Sequence, residues 1–333
     1  MAPASQRGIE FQGVSKRYDG GAQAVRDVEL AVATGEFVVL LGPSGCGKTT
    51  LLKMVNRLQE PSAGRVLVNG VDTHSIPAET LRRGIGYVIQ QIGLFPHMSV
   101  GQNVAVVPEL LGWDAARTAA RAHELLDLVG LPRAEFAGRF PGQLSGGQQQ
   151  RVGLARALGA DPAVLLMDEP FGALDAIERL RLQTELADLQ RHLCKTILFV
   201  THDVDEALRL ADRIVIMREG RVLQAASPLQ ILAAPADAFV AELLNTHDVI
   251  RRMSVLTVAD AMRAPADHAD EPLGERGPQT RVGLRMDLRS ALSLLVLAGE
   301  DRALVVDGGQ VAGQASITDM LRAARMLPSS TSA

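Results

Sequence analysis

An eight-residue segment near the beginning of the chain has the residue types and spacing of a phosphate-binding loop. Residues 42–49 fit the pattern G-x-x-x-x-G-K-[ST] and read Gly42, Pro43, Ser44, Gly45, Cys46, Gly47, Lys48 and Thr49. The glycines allow the backbone to turn with its N–H groups pointing inward, where they bind phosphate oxygens with help from a helix N-terminus. Lys48 supplies a cation to the β- and γ-phosphates, Thr49 places a hydroxyl on Mg²⁺, and Thr50 can donate to a more distal phosphate oxygen. The alternative is a glycine-rich turn without a ligand, but such a turn gives Lys48 and Thr49 no packing role.

Two adjacent carboxylates provide the acidic groups that such a loop requires. Asp168 and Glu169 stand at the end of an apolar run at 163–167. We predict that Asp168 binds Mg²⁺ through water. Glu169 points in a different direction and can polarise the water that attacks the γ-phosphate. The alternative is that the two carboxylates only cap the next helix.

The elements that must position these residues are strands alternating with helices. Continuous apolar runs are typical of strands buried on both faces of a mixed or parallel sheet, and they occur at 37–41, 163–167, 197–200 and 214–217. The alternation of Val25, Val28, Leu30 and Val32 predicts a half-buried antiparallel strand before them. Helical spacing at 49–55, 125–129 and 182–189 completes an α/β pattern.

Composition limits the classes of function that the chain can have. The 333 residues exceed the usual size of one domain, and 47% of them are apolar, so the protein can bury a sizeable core. The formal charge of −4 gives no electrostatic reason to expect a nucleic-acid partner. Two cysteines, Cys46 and Cys194, suit a reducing compartment, and the helix terminus is expected to make the Cys46 thiol more acidic. No secretory signal or membrane-spanning run is visible, so we expect no membrane crossing by this chain.

A third motif makes the resemblance to one family specific. Residues 144–148, Leu-Ser-Gly-Gly-Gln, stand between the phosphate loop and the Asp-Glu pair, and this order resembles that of ABC-type ATPases. A lone Ser-Gly-Gly run would be an ordinary helix cap. The resemblance implies that the motif completes the nucleotide site of the opposite subunit through Ser145, Gly146, Gly147 and Gln148. It therefore implies a head-to-tail dimer that encloses two ATP molecules, with ATP and Mg²⁺ as cofactors.

Further residues match the other motifs of this family. Tyr18 resembles the aromatic residue that stacks on adenine, and Gln90 resembles the glutamine that reaches Mg²⁺ and the attacking water, with Gln91 as an alternative register. Asp175 belongs to a loop that resembles the contact with the partner subunit. His202 resembles the histidine that contacts the γ-phosphate and orients the water together with Glu169. The resemblance thus implies Glu169, His202 and Gln90 as catalytic residues, and Thr49, Gln90 and Asp168 as those that hold Mg²⁺.

Two longer stretches, at 85–98 and 167–175, are similar to the ATPases of osmoprotectant importers, which serve glycine betaine, carnitine, choline or proline. This resemblance implies a homodimer or a paired ATPase subunit, two membrane permease subunits and a separate solute-binding protein, with no nucleic acid. It places the chain at the cytoplasmic face of the cell membrane. A helical subdomain at about 91–141 would dock the permeases, and the apolar patch at 94–98 is either part of that docking surface or part of the core.

Three other functions stay open at this point. The first is the ATPase of an amino-acid importer or another small-solute importer. The second is a soluble ABC ATPase that acts on nucleic acid or ribosomes, which the acidic net charge and the lack of a coiled-coil insertion disfavour. The third is a nucleotide-binding regulator with negligible turnover, which the full set of hydrolytic residues disfavours.

The predicted organisation is a P-loop ABC ATPase domain at 9–245, with a mixed sheet core, an antiparallel β subdomain and the helical subdomain, followed by a small α+β domain at 250–326. Residues 265–280 are predicted to be a loop, and residues 327–333 a disordered tail. The segments 258–262, 307–309 and 313–319 resemble one cystathionine β-synthase-type (CBS) regulatory repeat. That resemblance implies Ser316 and Asp319 as ligands of a regulatory nucleotide, and a helix cap is the alternative. Because such repeats work in pairs, a second copy across the dimer could complete the site.

Overall fold

The computed structural model describes residues 7–90, 93–172, 174–263 and 280–325. The chain divides into two compact units, Met1–Ala225 and Ala226–Ala333. The predicted domain limits at 245 and 250 lie further along the chain, and they stay a prediction. The tail predicted at 327–333 and all but the last residue of the loop predicted at 265–280 lie outside the described residues.

The first unit is built from two sheets and a group of helices. Its elements, in chain order, are β1 (Arg7–Arg17), β2 (Gln23–Ala33), β3 (Phe37–Leu41), α1 (Lys48–Val55), β4 (Ala63–Val68), β5 (Val71–Asp72), α2 (Ala78–Arg83), β6 (Ile85–Val88), α3 (Val100–Leu110), α4 (Ala115–Leu128), α5 (Arg133–Phe136), α6 (Gly146–Leu158), β7 (Val164–Asp168), α7 (Ala176–Leu193), β8 (Thr196–Val200), α8 (Val204–Leu210), β9 (Arg213–Arg218) and β10 (Arg221–Ala226).

The larger sheet has the strand order β10-β9-β3-β8-β7-β6. Strand β3 pairs in parallel with both β8 and β9, and β7 pairs in parallel with β8 and β6. Every residue of β3, β7 and β8 is buried, which is the reason their sequences are apolar except for Asp168 at the end of β7 and Thr196 at the start of β8. Because these strands run in one direction, the loops at their carboxyl ends meet at the same edge of the sheet.

The smaller sheet is antiparallel, with the order β2-β1-β4-β5. Val25, Val28, Leu30 and Val32 on β2 are buried as their spacing predicts, with an irregularity at Asp27, whose φ is +46°. These side chains share one hydrophobic core with α1 and with one face of the larger sheet. The core holds the helix that follows the phosphate loop against both sheets.

Helices α3 to α5 lie within the segment predicted to form the helical subdomain, and α6 packs against α3 and α4. Ser99 and Gln102 form a capping box at the start of α3. Such a box satisfies two backbone N–H groups that the first turn leaves free. It fixes the point at which the chain passes from the exposed 94–98 segment into the helices.

The second unit is an α+β structure, as predicted. Its elements are α9 (Pro228–Ala233), α10 (Ala238–Leu244), α11 (Val249–Met253), α12 (Val258–Ala261), β11 (Arg281–Gly283), α13 (Leu288–Ala298), β12 (Arg302–Asp307), β13 (Gln310–Ser316) and α14 (Ile317–Arg325). Strand β12 is central, parallel to β11 and antiparallel to β13. The hydrophobic core of the second unit is aliphatic and includes Met253, Leu295 and Val305. Across the described residues of both units, no helix has the combination of length and hydrophobicity needed to cross a bilayer.

Candidate active site

Four loops at the carboxyl edge of the larger sheet carry the residues predicted to bind and hydrolyse a nucleotide. The phosphate loop follows β3, Gln90 follows β6, Asp168 ends β7 with Glu169 next to it, and His202 follows β8. The register aligns Asp168 with Val200, the last residue of β8. Segments that are far apart in sequence therefore converge at one place.

The phosphate loop has a backbone that only glycine can adopt at two of its positions. A Cβ atom on Gly42 would lie 2.2 Å from the carbonyl oxygen of Met217, and one on Gly47 would lie 2.3 Å from that of Ala24. Gly45 is different, because it has a φ of +79° but no atom within 4 Å of its Cβ position. Gly47 is also the N-cap of α1, so the helix starts at the end of the loop. The loop thus has the curved, helix-terminated form that binds anions.

Lys48 is buried at the centre of this loop. Its Nζ donates to the carbonyl oxygens of Gly42, at 2.6 Å, and of Pro43, at 3.0 Å. The thiol of Cys46 lies 3.9 Å from the same nitrogen. Burial raises the pKa of the Cys46 thiol, and the nearby Lys48 charge only partly offsets this effect. The expectation of a more acidic Cys46 is therefore wrong, because burial outweighs the helix terminus and the lysine.

Thr49 and Asp168 place two oxygen atoms side by side. The Thr49 hydroxyl donates to Asp168 Oδ1 at 2.8 Å, and Lys53 Nζ lies 3.9 Å from Oδ2. Burial raises the pKa of Asp168 above its usual value, and the Thr49 bond and the Lys53 charge offset only part of this rise. No cluster of three or more His, Cys, Asp or Glu side chains able to hold a metal occurs in the part of the chain that the structure describes. A hydroxyl and one carboxylate fit Mg²⁺, which usually takes its other ligands from water and phosphate.

Glu169 joins the other two predicted catalytic residues. Its Oε2 accepts a hydrogen bond from Gln90 Nε2 at 3.2 Å and lies 3.3 Å from His202 Nδ1. His202 is 61% exposed and Glu169 only 22%, so the carboxylate is the inner member of the group. Gln91, the alternative to Gln90, lies outside the described residues. The structure brings Gln90, Glu169 and His202 together, and their catalytic roles stay predictions.

The backbone at Glu169 explains how two adjacent carboxylates reach different partners. Glu169 has a φ of +46°, which is rare for a residue other than glycine, while its N–H donates to Val200 O at 2.9 Å. A residue held in this region costs about 1–3 kcal/mol, and such residues cluster at functional sites. The sequence carries no signal for this turn.

Tyr18 lies at the end of β1, with its hydroxyl 3.4 Å from Thr50 Oγ1. Lys16 Nζ is 5.3 Å from the centre of the Tyr18 ring. The ring is 39% exposed. The contact with Thr50 connects Tyr18, the predicted adenine-binding residue, to α1, the helix that follows the phosphate loop.

The signature segment occupies a separate cleft. Ser145 caps α6 and forms a capping box with Gln148, and the cleft also includes Gly146, Gly147, Leu174, Asp175 and Glu178. A Cβ on Gly147 would lie 2.4 Å from Glu178 Oε1, so a larger residue here would have to displace the Glu178 side chain. Asp175 caps α7 through the N–H groups of Ile177 and Glu178. None of the residues that line this cleft belongs to the phosphate loop. Ala173 lies outside the described residues.

In the second unit, the two residues proposed to bind a regulatory nucleotide contact each other. The Ser316 hydroxyl donates to Asp319 Oδ2 at 2.6 Å, and the Asp319 N–H donates to Ser316 Oγ at 3.1 Å. Arg263 also pairs with Asp319. Burial tends to raise the pKa of Asp319, but the bonds from Ser316 and Arg263 outweigh it and lower the pKa. The geometry is that of the alternative helix cap, and nucleotide binding stays a prediction.

Sequence reasoning missed four buried or half-buried polar residues around the site. Asn103 is fully buried in α3 and bonds to the backbone of Phe95, Met98 and Ser99. Arg179 and Glu206 contact the turn that carries His202, and Gln183 bonds to Glu206. The sequence held only a weak signal for these residues, namely that Arg179 and Gln183 have the i, i+4 spacing of one helical face.

Comparisons with known proteins agree with this geometry. The family model described as ABC transporter matches residues 25–172. The osmoprotectant import ATP-binding protein OsmV of Salmonella typhimurium is 55% identical over 72% of this chain and 62% of its own length, so the chain spans less than two thirds of that relative. The glycine betaine uptake system ATP-binding protein YehX of Escherichia coli is 48% identical over 94% of this chain and 99% of its own.

A solved structure supports the fold independently. The dimeric post-hydrolysis state of the ATP-binding cassette MJ0796, bound to ADP and Pi, has a TM-score of 0.59 and 35% identity. The match covers 66% of this chain and 98% of that one. The predicted fold class is confirmed for the ATPase part, whereas the CBS-like character of the second unit stays a prediction.

Proposed function

Because the chain belongs to the ABC transporter family of ATP-binding subunits, we propose that it hydrolyses ATP to drive an importer of a quaternary-amine osmoprotectant such as glycine betaine, carnitine or choline. The observation that carries the ATPase activity is the pair of contacts that Glu169 makes with Gln90 and His202 beside the phosphate loop. The solute class is supported by the relatives, OsmV and YehX, whose names specify osmoprotectant and glycine betaine import.

The residues divide binding and hydrolysis between them. Lys48 exchanges its bonds with the loop carbonyls for phosphate oxygens, and the N–H groups of the loop bind the same phosphates. Mg²⁺, held by Thr49 and Asp168 with Gln90 nearby, would supply positive charge to the phosphates. Glu169 polarises the attacking water, and His202 holds that water and the γ-phosphate in line.

Each chain supplies two half-sites. The phosphate loop of one subunit faces the Ser145 end of α6 from a second subunit, since this helix N-terminus is itself suited to anions. Two ATP molecules then lie between two subunits, in a homodimer or a pair of related ATPases. The separation of the signature cleft from the phosphate loop within one chain supports this arrangement.

The 94–98 segment is the proposed docking surface for two membrane permease subunits. Phe95, Pro96 and His97 are exposed, which disfavours the alternative that the patch belongs to the core. The Phe95 and His97 rings pack edge to face with centres 6.0 Å apart. Asn103 anchors the backbone below them, and Arg156 donates to Gly93 O at 2.7 Å. An ordered apolar surface that follows Gln90 in the chain suits a permease whose docking must affect ATP hydrolysis. Docking places the chain at the cytoplasmic face of the membrane, where a separate solute-binding protein supplies the solute from the other side.

The transported solute is the least constrained part of this proposal. The residues of the ATP site are equally suited to an importer of an amino acid or another small solute, because the ATPase does not contact the solute. No observation in the structure favours a function on nucleic acid or ribosomes. The complete set of Gln90, Glu169 and His202 disfavours a regulator without turnover.

The test compares uptake of labelled glycine betaine, carnitine, choline and proline in cells that carry the wild type, Lys48→Ala or Lys195→Ala, at low and high osmolarity. Lys195 pairs with Asp161 at 2.8 Å and is not part of the phosphate loop, so Lys195→Ala is the matched control. We expect Lys48→Ala alone to abolish uptake of one or more of these solutes. Unchanged uptake of all four, with the variant expressed, would remove the osmoprotectant assignment. Phosphate release at the wild-type rate by purified Lys48→Ala protein would overturn the ATPase site.

A further inference from the structure

Helix α7 connects the signature cleft to the turn that carries His202. The helix begins after Asp175, whose carboxylate caps its first turn. One face of the helix carries Arg179 and Gln183, which are four residues apart. Arg179 reaches Asp203, in the segment between β8 and α8 where His202 lies, and Gln183 reaches Glu206 in the first turn of α8.

Arg179 bridges the two ends of this connection. Its Nη2 donates to Leu174 O at 3.1 Å, next to Asp175, and its Nη1 lies 3.7 Å from Asp203 Oδ2. The Nε atom is buried without a hydrogen-bond partner among the described residues. The guanidinium thus contacts Leu174 and Asp203 at once while one of its donors stays unsatisfied, which costs stability.

Glu206 fixes the same turn from inside the protein. It is 5% exposed, and its carboxylate accepts from Thr201 Oγ1 at 2.6 Å and from Gln183 Nε2 at 3.1 Å. Thr201 Oγ1 in turn accepts from the Asp203 N–H at 2.9 Å. Asp203 Oδ1 accepts from the N–H groups of Asp205 and Glu206, at 2.8 and 3.1 Å. Both neighbours of His202 are therefore connected to α7: Thr201 through Glu206 and Gln183, and Asp203 through Arg179.

His202 itself is weakly held. It is exposed, and its imidazole Nδ1 lies 3.3 Å from the Glu169 carboxylate. Its position relative to Glu169 therefore depends on the backbone between Thr201 and Asp203. A displacement of about 1 Å of a catalytic group can cost up to about a hundredfold in rate.

We propose that Arg179, Gln183 and Glu206 are positioning residues that set His202 against Glu169 and couple it to the segment at Asp175, so that contact with a second subunit at Asp175 is transmitted to His202 of the same chain. This inference rests on the proposed ATPase function. It adds residues that touch neither the nucleotide nor the phosphate loop, and it gives the signature cleft a route to the catalytic group within one subunit.

The test measures kcat and KM for ATP, equilibrium binding of ATP and the unfolding midpoint for Arg179→Met and Gln183→Leu. The matched control is Arg191→Met, because Arg191 lies on the same helix and pairs with Asp188 at the surface. We expect kcat to fall about tenfold to a hundredfold in the two test variants, with KM and ATP binding within about twofold of the wild type. The control should leave all quantities unchanged. Wild-type kcat in both folded variants would overturn the proposal.

A second measurement separates positioning from a structural effect. The same substitutions are made in a His202→Ala background, where they should lower the remaining kcat by less than about twofold, since their target is gone. An equal fractional loss in both backgrounds would overturn the coupling to His202. If Gln183→Leu does not fold, the comparison with and without His202→Ala is made with Arg179→Met alone, because Arg179 is only half-buried. Absence of ATP hydrolysis by the wild type would instead overturn the proposed function, so the two failures are distinguishable.

Discussion

Alanine substitutions at two glycines with the same conformation can separate the stability of the phosphate loop from its function. Gly45 lies in the phosphate loop, and Gly70 lies in the turn between β4 and β5. Each has a φ of +79°, and a Cβ at either position would have no atom within 4 Å. An alanine in the left-handed region costs about 1–2 kcal/mol. The lower entropy of the unfolded chain returns about 0.4–1 kcal/mol. Both variants should therefore lose about 1 kcal/mol of unfolding free energy.

Nucleotide binding should distinguish the two variants. The methyl group of Gly45→Ala would occupy space in the loop where backbone N–H groups approach the phosphates, whereas that of Gly70→Ala lies at a distant turn. We expect Gly45→Ala to weaken binding of a non-hydrolysable ATP analogue with Mg²⁺ at least tenfold, or about 1.4 kcal/mol. Gly70→Ala should bind as the wild type does.

Two measurements decide the outcome. Denaturant titration gives the loss of unfolding free energy, and calorimetric titration gives the dissociation constant. If the two variants lose the same unfolding free energy and both bind the ATP analogue as tightly as the wild type, the placement of phosphates against Gly45 is refuted. A much larger stability loss in Gly45→Ala than in Gly70→Ala would refute the assumption that the two sites differ only in function.

Three further predictions follow from the same site. Glu169→Gln should bind ATP but hydrolyse it slowly, because an amide cannot polarise the water, and should therefore accumulate as an ATP-bound dimer; light scattering that detects only monomers with ATP and Mg²⁺ contradicts this. Burial raises the pKa of Glu206, with the Thr201 and Gln183 bonds opposing it, so the stability that this group contributes should fall as pH rises from the unfolded pKa of about 4.5 through the folded one. Glu206→Gln removes this loss, and unfolding free energies of the two proteins that differ by the same amount at every pH would contradict it. The buried Cys46 thiol, whose pKa burial raises, should react with a maleimide more slowly than the exposed Cys194, and more slowly still with ATP bound; mass spectrometry that finds equal rates rejects this.

The strands were predictable where burial dictated their sequence. The apolar runs predicted β3, β7, β8 and β9 with ends within a residue or so, because a strand covered on both faces must be apolar throughout. The same reasoning did not identify β6, which is short, lies at the edge of the sheet and contains Gly86. That glycine has a packing cause that the sequence does not display: a Cβ there would lie 2.3 Å from Leu165 Cδ2.

The site was predictable to the extent that phosphate chemistry dictates residue type. Lys48, Thr49, Asp168 and Glu169 are identified by composition and order, and the structure brings them to one edge of the sheet. The positive φ of Glu169 and the hydrogen bond from Gln183 to Glu206 could not be predicted from the sequence, because they depend on segments that meet only after folding. Long-range packing sets these features, and local sequence does not.

The arrangement separates the groups that hold the nucleotide from those that act on it. The phosphate loop and Lys48 belong to the rigid connection from β3 to α1, which the shared core holds between two sheets. Gln90 and His202 instead lie on loops next to the surfaces that we propose contact other proteins: the 94–98 segment follows Gln90, and α7 links the turn of His202 to Asp175. Under this proposal, partners that bind these surfaces would move the hydrolytic groups without altering the phosphate loop. We therefore expect permease docking and dimer contact to change kcat far more than the affinity for ATP.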